Sequence, residues 1–122
     1  MRIRSYRELE VWKRGMAVGR MVYQLTRSFP SEERFGIAAQ LRRAAISVPA
    51  NIAEGWGRQN RQDYMRFLRI ARGSLYELET LLLLAQEVGL TTAAEAEPIR
   101  TELATFARQL QTLYRRLSSR PG

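Results

Sequence analysis

The chain contains no cysteine and no histidine. The first absence excludes disulfides, thiol nucleophiles and cysteine-ligated zinc. The second removes the commonest general base and the commonest metal ligand. Lysine is nearly missing as well: Lys13 stands alone, and arginine supplies the other nineteen of the twenty basic residues. No apolar run approaches the ~20 residues of a membrane span; the longest, Leu81 to Ala85, is far too short. No apolar stretch of signal-peptide length precedes the first amphipathic pattern. A cytoplasmic protein with no membrane contact is therefore expected.

Carboxylates are scattered rather than clustered. Glu54 and Asp63 stand far in sequence from Glu77, Glu79 and Glu102. Nucleophilic catalysis needs a base beside the nucleophile, and a di-metal helical bundle needs Glu-x-x-His pairs. Gly55-Trp56-Gly57 alone is too short a signal for a phosphate loop. The expectation is a protein that is not an enzyme, with no catalytic residue, metal or cofactor. A hydrolase built on Glu54 or Asp63 stands as a third reading.

What is present is a basic chain of 122 residues with a formal net charge of +8 and a pI near 11.0. That length suits one domain with one core, spanning residues 1–122. Such a charge favours an anionic partner. Arginine forks suit phosphate and carboxylate and stay charged at any working pH. A GC-rich genome produces the same arginine bias.

Hydrophobic spacing reads as helix throughout and nowhere as strand. Ser5 and Glu8 have capping-box spacing, so a first helix is expected over 6–28. It has one stripe of Leu9, Trp12, Met16, Gly19 and Tyr23 and another of Val11, Val18, Val22 and Leu25. Phe29-Pro30-Ser31 stops it, and acids at Glu32 and Glu33 suit the start of a second helix over 33–56. Asn60 caps a third over 61–88, which ends at Gly89. Its run Leu81 to Leu84 points in four successive directions, suggesting burial on more than one side. Thr92 and Glu95 form a second capping box for a fourth helix over 93–118, where Pro98 should bend or delay the start. Four helices on short loops predict an all-α fold, an antiparallel up-down-up-down four-helix bundle.

The second helix organises the rest. Ile37, Leu41, Ala44, Val48 and Ile52 form a core stripe. Gln40, Arg43, Ser47, Asn51, Glu54 and Arg58 form a polar seam, and Ala39, Ile46, Ala50, Ala53 and Gly57 form a face of small residues. Pro49 removes a hydrogen bond to Ala45 and should kink the helix, with Ser47 placed to fill part of the gap. A helix apolar or small on two sides is buried on two sides, so a homo-oligomer is expected. Arg43, Ile46, Ala50, Asn51, Ala53 and Glu54 are its candidate interface residues, with Arg43, Asn51 and Glu54 fixing register. A solvated seam is the alternative.

The candidate nucleic-acid contacts are Arg42, Arg58, Arg61, Arg66, Arg69 and Arg72. Arg66, Arg69 and Arg72 fall off the Tyr64-to-Leu75 core stripe and face outward, as phosphate-backbone contacts should. Arg115, Arg116 and Arg120 end the chain nearby. Trp56 and Tyr64 suit base stacking or, more simply, core and interface. A solvated face with local ion pairs is the plainer reading of the row.

Three stretches carry a resemblance: Gln40-Leu41-Arg42-Arg43-Ala44-Ala45, Ser47-Val48-Pro49-Ala50-Asn51-Ile52-Ala53-Glu54-Gly55 with Arg58, and Phe67-Leu68-Arg69-Ile70-Ala71-Arg72-Gly73-Ser74 with Glu77-Leu78-Glu79. Together with Tyr6-Arg7-Glu8-Leu9-Glu10-Val11-Trp12, the chain resembles the "four helix bundle protein" family. That family includes products of open reading frames in intervening sequences of bacterial large-subunit ribosomal RNA genes. The shared positions are Arg43, Asn51, Glu54, Gly55, Arg58, Gly73, Ser74 and Glu77. The resemblance implies a homopentamer without enzymatic activity. The family is also similar to accessory variability proteins of diversity-generating retroelements, basic pentamers that bind a reverse transcriptase and nucleic acid. Two functional expectations follow. One is a homopentamer binding RNA or DNA through arginine-rich surfaces, accessory to a nucleoprotein machine. The other is a protein-binding scaffold, for example for a reverse transcriptase, with incidental charge.

Overall fold

The computed structural model describes residues 3–120. Four α-helices make up most of it: α1 (Glu10–Thr26), α2 (Ile37–Gly57), α3 (Arg61–Glu87) and α4 (Ala93–Ser118). The described residues contain no strand. Each helix touches its neighbour in chain order, α4 closes back on α1, and the Cα atoms of the diagonal pairs α1/α3 and α2/α4 nowhere come within 8 Å. Arg61 reaches the carbonyl of Arg120, Arg69 meets Tyr114, and Arg100 meets Gln86. Those pairings run in opposite directions along α3 and α4. The all-α, up-down-up-down bundle expected from periodicity is the fold found.

The core stripes are where spacing places them. Leu41, Ala44, Val48 and Ile52 of α2 are fully buried, with Ile37 packed at the margin. They share one core with Leu68, Leu75, Leu78 and Leu82 of α3 and Phe106 and Leu110 of α4. The leucine run of α3 differs from expectation. Leu82 is buried and Leu81 half-buried, but Leu83 and Leu84 are 41% and 44% exposed in the single chain. Only one side of that end of α3 meets its own bundle.

Helix starts depart from the spacing rules in two places. The first helix begins at Glu10, not near Tyr6, because a 3-10 turn over Tyr6–Glu8 ends at an extended Leu9. Ser5 Oγ accepts from the Arg7 amide, and Glu8 accepts from the Arg4 amide, so the reciprocal box does not close. The separate turn lays Tyr6 edge-on to Trp12, with ring centroids 5.3 Å apart, instead of carrying it past the end of the bundle. The second helix begins at Ile37, not Glu33. Ser31–Glu33 is a 3-10 turn and Gly36 breaks the register. Glu33 still acts on the helix from outside, accepting from the Ile37 amide at 3.4 Å.

The two internal prolines are absorbed. α2 runs unbroken through Pro49, which is buried against Gly15 of α1. A β-carbon on Gly15 would sit 3.2 Å from Pro49 Cβ, so the glycine admits the ring. Ser47 does not fill the gap left at Ala45; its hydroxyl lies 2.8 Å from that of Ser74 in α3. In α4, Pro98 neither ends nor delays the helix. The Thr92–Glu95 box closes in both directions, at 2.9 and 3.1 Å, and fixes the start five residues earlier. α3 ends in a left-handed Gly89 (φ 84°), with Leu90 donating to Ala85 and Gly89 to Gln86. That is the Schellman closure.

Candidate nucleic-acid interface

Antiparallel topology brings the last turns of α2, the first half of α3 and the last turns of α4 to one end of the bundle. Residues 48–73 and 109–120 carry eight arginines there: 58, 61, 66, 69, 72, 115, 116 and 120. The same stretches hold two carboxylates, Glu54 and Asp63. Each is already engaged, Glu54 with Arg58 at 3.0 Å and Asp63 with Arg66 at 4.0 Å. Six guanidiniums are left without a carboxylate among the described residues.

The arginines are held rather than loose. Arg58 and Arg66 both place their guanidiniums over the ring of Phe67, at 5.2 and 4.6 Å from its centroid. Cation–π contact positions the charge without neutralising it. Arg69 lies 3.3 Å from the Tyr114 hydroxyl, and Arg72 donates to Gln111. Arg61 donates to the carbonyl of Arg120, two residues past the end of α4, joining α3 to that terminus. Arg58, Arg66 and Arg69 are exposed, while Arg61 and Arg72 are half-buried. Phe67 is the residue that sequence spacing missed. It reads as core and is 6% exposed, yet it is the platform for two arginines.

Arg42 does not belong with this group. One position before Arg43, it is turned about 100° around α2, into the cleft with α1. There it donates to Thr26 Oγ1 at 2.8 Å and covers the Tyr23 ring at 4.6 Å. Of the two aromatics proposed for stacking, one is committed to the core. Trp56 is half-buried. Tyr64 packs on the core with its hydroxyl buried and unpartnered, and burial pushes its pKa up to about 12.

The polar seam of α2 is bonded to α3 within the chain. Arg43 pairs with Glu77 at 2.8 Å rather than with Glu54. Asn51 donates to the carbonyl and hydroxyl of Ser47, and Ser47 meets Ser74. Ile46, Ala50 and Ala53 lie apart from Arg43, Asn51 and Glu54. They line an open groove of about 650 Å³ between α1 and α2, with Met16, Gly19 and Pro49. Ile46 is 52% and Met16 38% exposed there.

Among the described residues, no group of histidine, cysteine or carboxylate side chains is arranged to hold a metal ion. None of the helices is long and apolar enough to cross a membrane.

No curated protein matches the chain. A solved structure does: a protein of unknown function from the S23 ribosomal protein family of Bacteroides thetaiotaomicron, at 24% sequence identity. The match covers 85% of this chain and 97% of that one, with a TM-score of 0.77, and shows that the bundle is a shared fold. The model of the 23S rRNA-intervening sequence protein family matches residues 7–112, nearly the whole bundle, and the chain belongs to that family.

Proposed function

We propose that this protein works by binding rather than by turnover, as a homopentamer that holds RNA or DNA at its arginine end and serves a nucleoprotein machine. One observation carries the reading: eight arginines against two carboxylates on the α2, α3 and α4 segments at one end of the bundle, where the start of the chain and of α1 adds Arg4, Arg7, Lys13 and Arg14 against Glu8 and Glu10. Phosphate backbones bind such a surface with release of counterions. The guanidiniums on Phe67 and beside Tyr114 already have aromatic partners, and a side chain held in this way loses less entropy on contact. Repetition of the patch around a ring raises avidity without new contacts.

Anisotropy titrations with unrelated RNA and DNA oligonucleotides, between about 50 and 200 mM salt, test it. The expected result is binding that weakens linearly on log–log axes. Absence of binding at low salt, or affinity indifferent to salt, overturns the phosphate reading and favours a protein-binding scaffold. Light scattering tests the assembly separately: five chains of 14.1 kDa are expected.

A further inference from the structure

The groove between α1 and α2 is apolar along its floor, where Gly15, Pro49, Ala50 and Ala53 leave space. Among the described residues, the only charged ones lining it are Arg20 and Arg27. Neither has a carboxylate partner among the described residues. A cleft of this kind takes an apolar ridge flanked by acids.

The chain carries such a ridge on α3. Leu83, Leu84 and Val88 are 41%, 44% and 58% exposed. The segment from Tyr76 to Leu90 holds Glu77, Glu79 and Glu87 and no basic residue. Glu77 is taken by Arg43, while Glu79 and Glu87 make no ion pair among the described residues. The ridge cannot serve the groove of its own chain, because α1 and α3 sit diagonally with their Cα atoms nowhere within 8 Å, and Leu83, Leu84 and Val88 are exposed.

We infer that the α1/α2 groove of one copy receives the Leu83–Leu84–Val88 ridge of a second copy, with Glu87 facing Arg20 and Arg27. This rests on the homo-oligomer in the reading above and names its two faces. Groove against groove would set Arg20 and Arg27 against themselves and leave the ridge bare. Groove against ridge sets apolar surface on apolar surface and opposite charges together. A contact between two different patches is heterologous, and its repetition closes a ring when the rotation allows. It also assigns the two exposed leucines a job that the single chain does not give them.

The test uses the whole chain and two variants at exposed positions. Ala50→Arg fills the groove, and Leu84→Arg charges the ridge. Each variant keeps one intact face. The expected result by light scattering is that each alone is a monomer of 14.1 kDa, while an equimolar mixture forms a species of two chains. Isologous or unrelated contacts do not give that complementation. A mixture that stays monomeric, or a Leu84→Arg chain that keeps the wild-type mass, overturns the inference. Ala53→Arg and Val88→Arg repeat the test where circular dichroism shows the first pair unfolded. A monomeric wild type overturns the homo-oligomer as well. A wild-type assembly that survives both variants overturns only the groove–ridge pairing. Oligonucleotide binding of the monomeric variants, read by anisotropy, reports on the arginine end independently.

Discussion

Gly55 of α2 leaves room for Phe67 of α3: a β-carbon on Gly55 would lie 2.6 Å from Phe67 Cβ and 3.3 Å from Tyr64 Cδ1. The closeness sets how tightly α2 and α3 turn at the arginine end, and so where Arg58 and Arg66 sit over the ring.

Gly55→Ala should therefore destabilise despite alanine's better helix propensity. Overpacking costs about 1–3 kcal/mol, against about 1 kcal/mol gained in propensity. Gly73→Ala is the control, since a β-carbon there meets nothing within 4 Å; it should stabilise by about 0.5–1 kcal/mol. Urea midpoints read both. A Gly55→Ala protein more stable than wild type would show that the α2–α3 turn can relax.

Tyr64→Phe should stabilise the bundle by about 1 kcal/mol, because the buried hydroxyl has no partner and its desolvation is uncompensated. The alkaline limb carries a second signature. The fold raises the phenol from 10.0 to about 12, so it prefers the neutral form. Stability from that preference is complete below pH 10 and is lost as pH rises through about 12. Urea midpoints across that range should fall more steeply for wild type than for Tyr64→Phe.

Thr92→Ala should cost about 1 kcal/mol by opening the box that starts α4. Glu95 is the acid-sensitive half. Hydrogen bonds from the Thr92 amide, then the Thr91 and Thr92 hydroxyls, hold its carboxyl below the usual range. Its contribution is present above the ordinary carboxylate pKa and is lost as pH falls through the lower folded value. Thermal melts from neutral to acid pH should show that loss in wild type, and Glu95→Gln should remove it.

On the proposed binding surface, Arg66→Gln and Arg69→Gln should each reduce the salt slope of oligonucleotide binding by about 1. Arg42→Gln should leave the slope unchanged, since that side chain is spent on Thr26 and Tyr23. Its effect should appear in thermal stability instead. An equal loss of slope at position 42 would return it to the binding surface.

By itself the sequence determined the bundle. Periods of three and four along Leu41–Ile52 and Ile99–Leu117 give each of those helices a core stripe, and four helices so striped close a core. It also determined the cap at Asn60, the Thr92–Glu95 box and the left-handed stop at Gly89, because these depend on chemistry within a few residues. Much of the arginine end was legible too, since short loops force antiparallel neighbours and so gather Arg58 to Arg72 with Arg115 to Arg120. Only tertiary structure decided how each charge was used. Arg42 and Arg43 are adjacent in sequence, yet one is drawn to Thr26 across α1 and the other to Glu77 across α3. Spacing gives the angle of a side chain on its helix; the partner at that angle belongs to another helix, which local pattern does not reach. For the same reason the interface candidates divided into a seam bonded within the chain and a groove left open. What occupies the groove depends on a surface that the folded chain turns away from it.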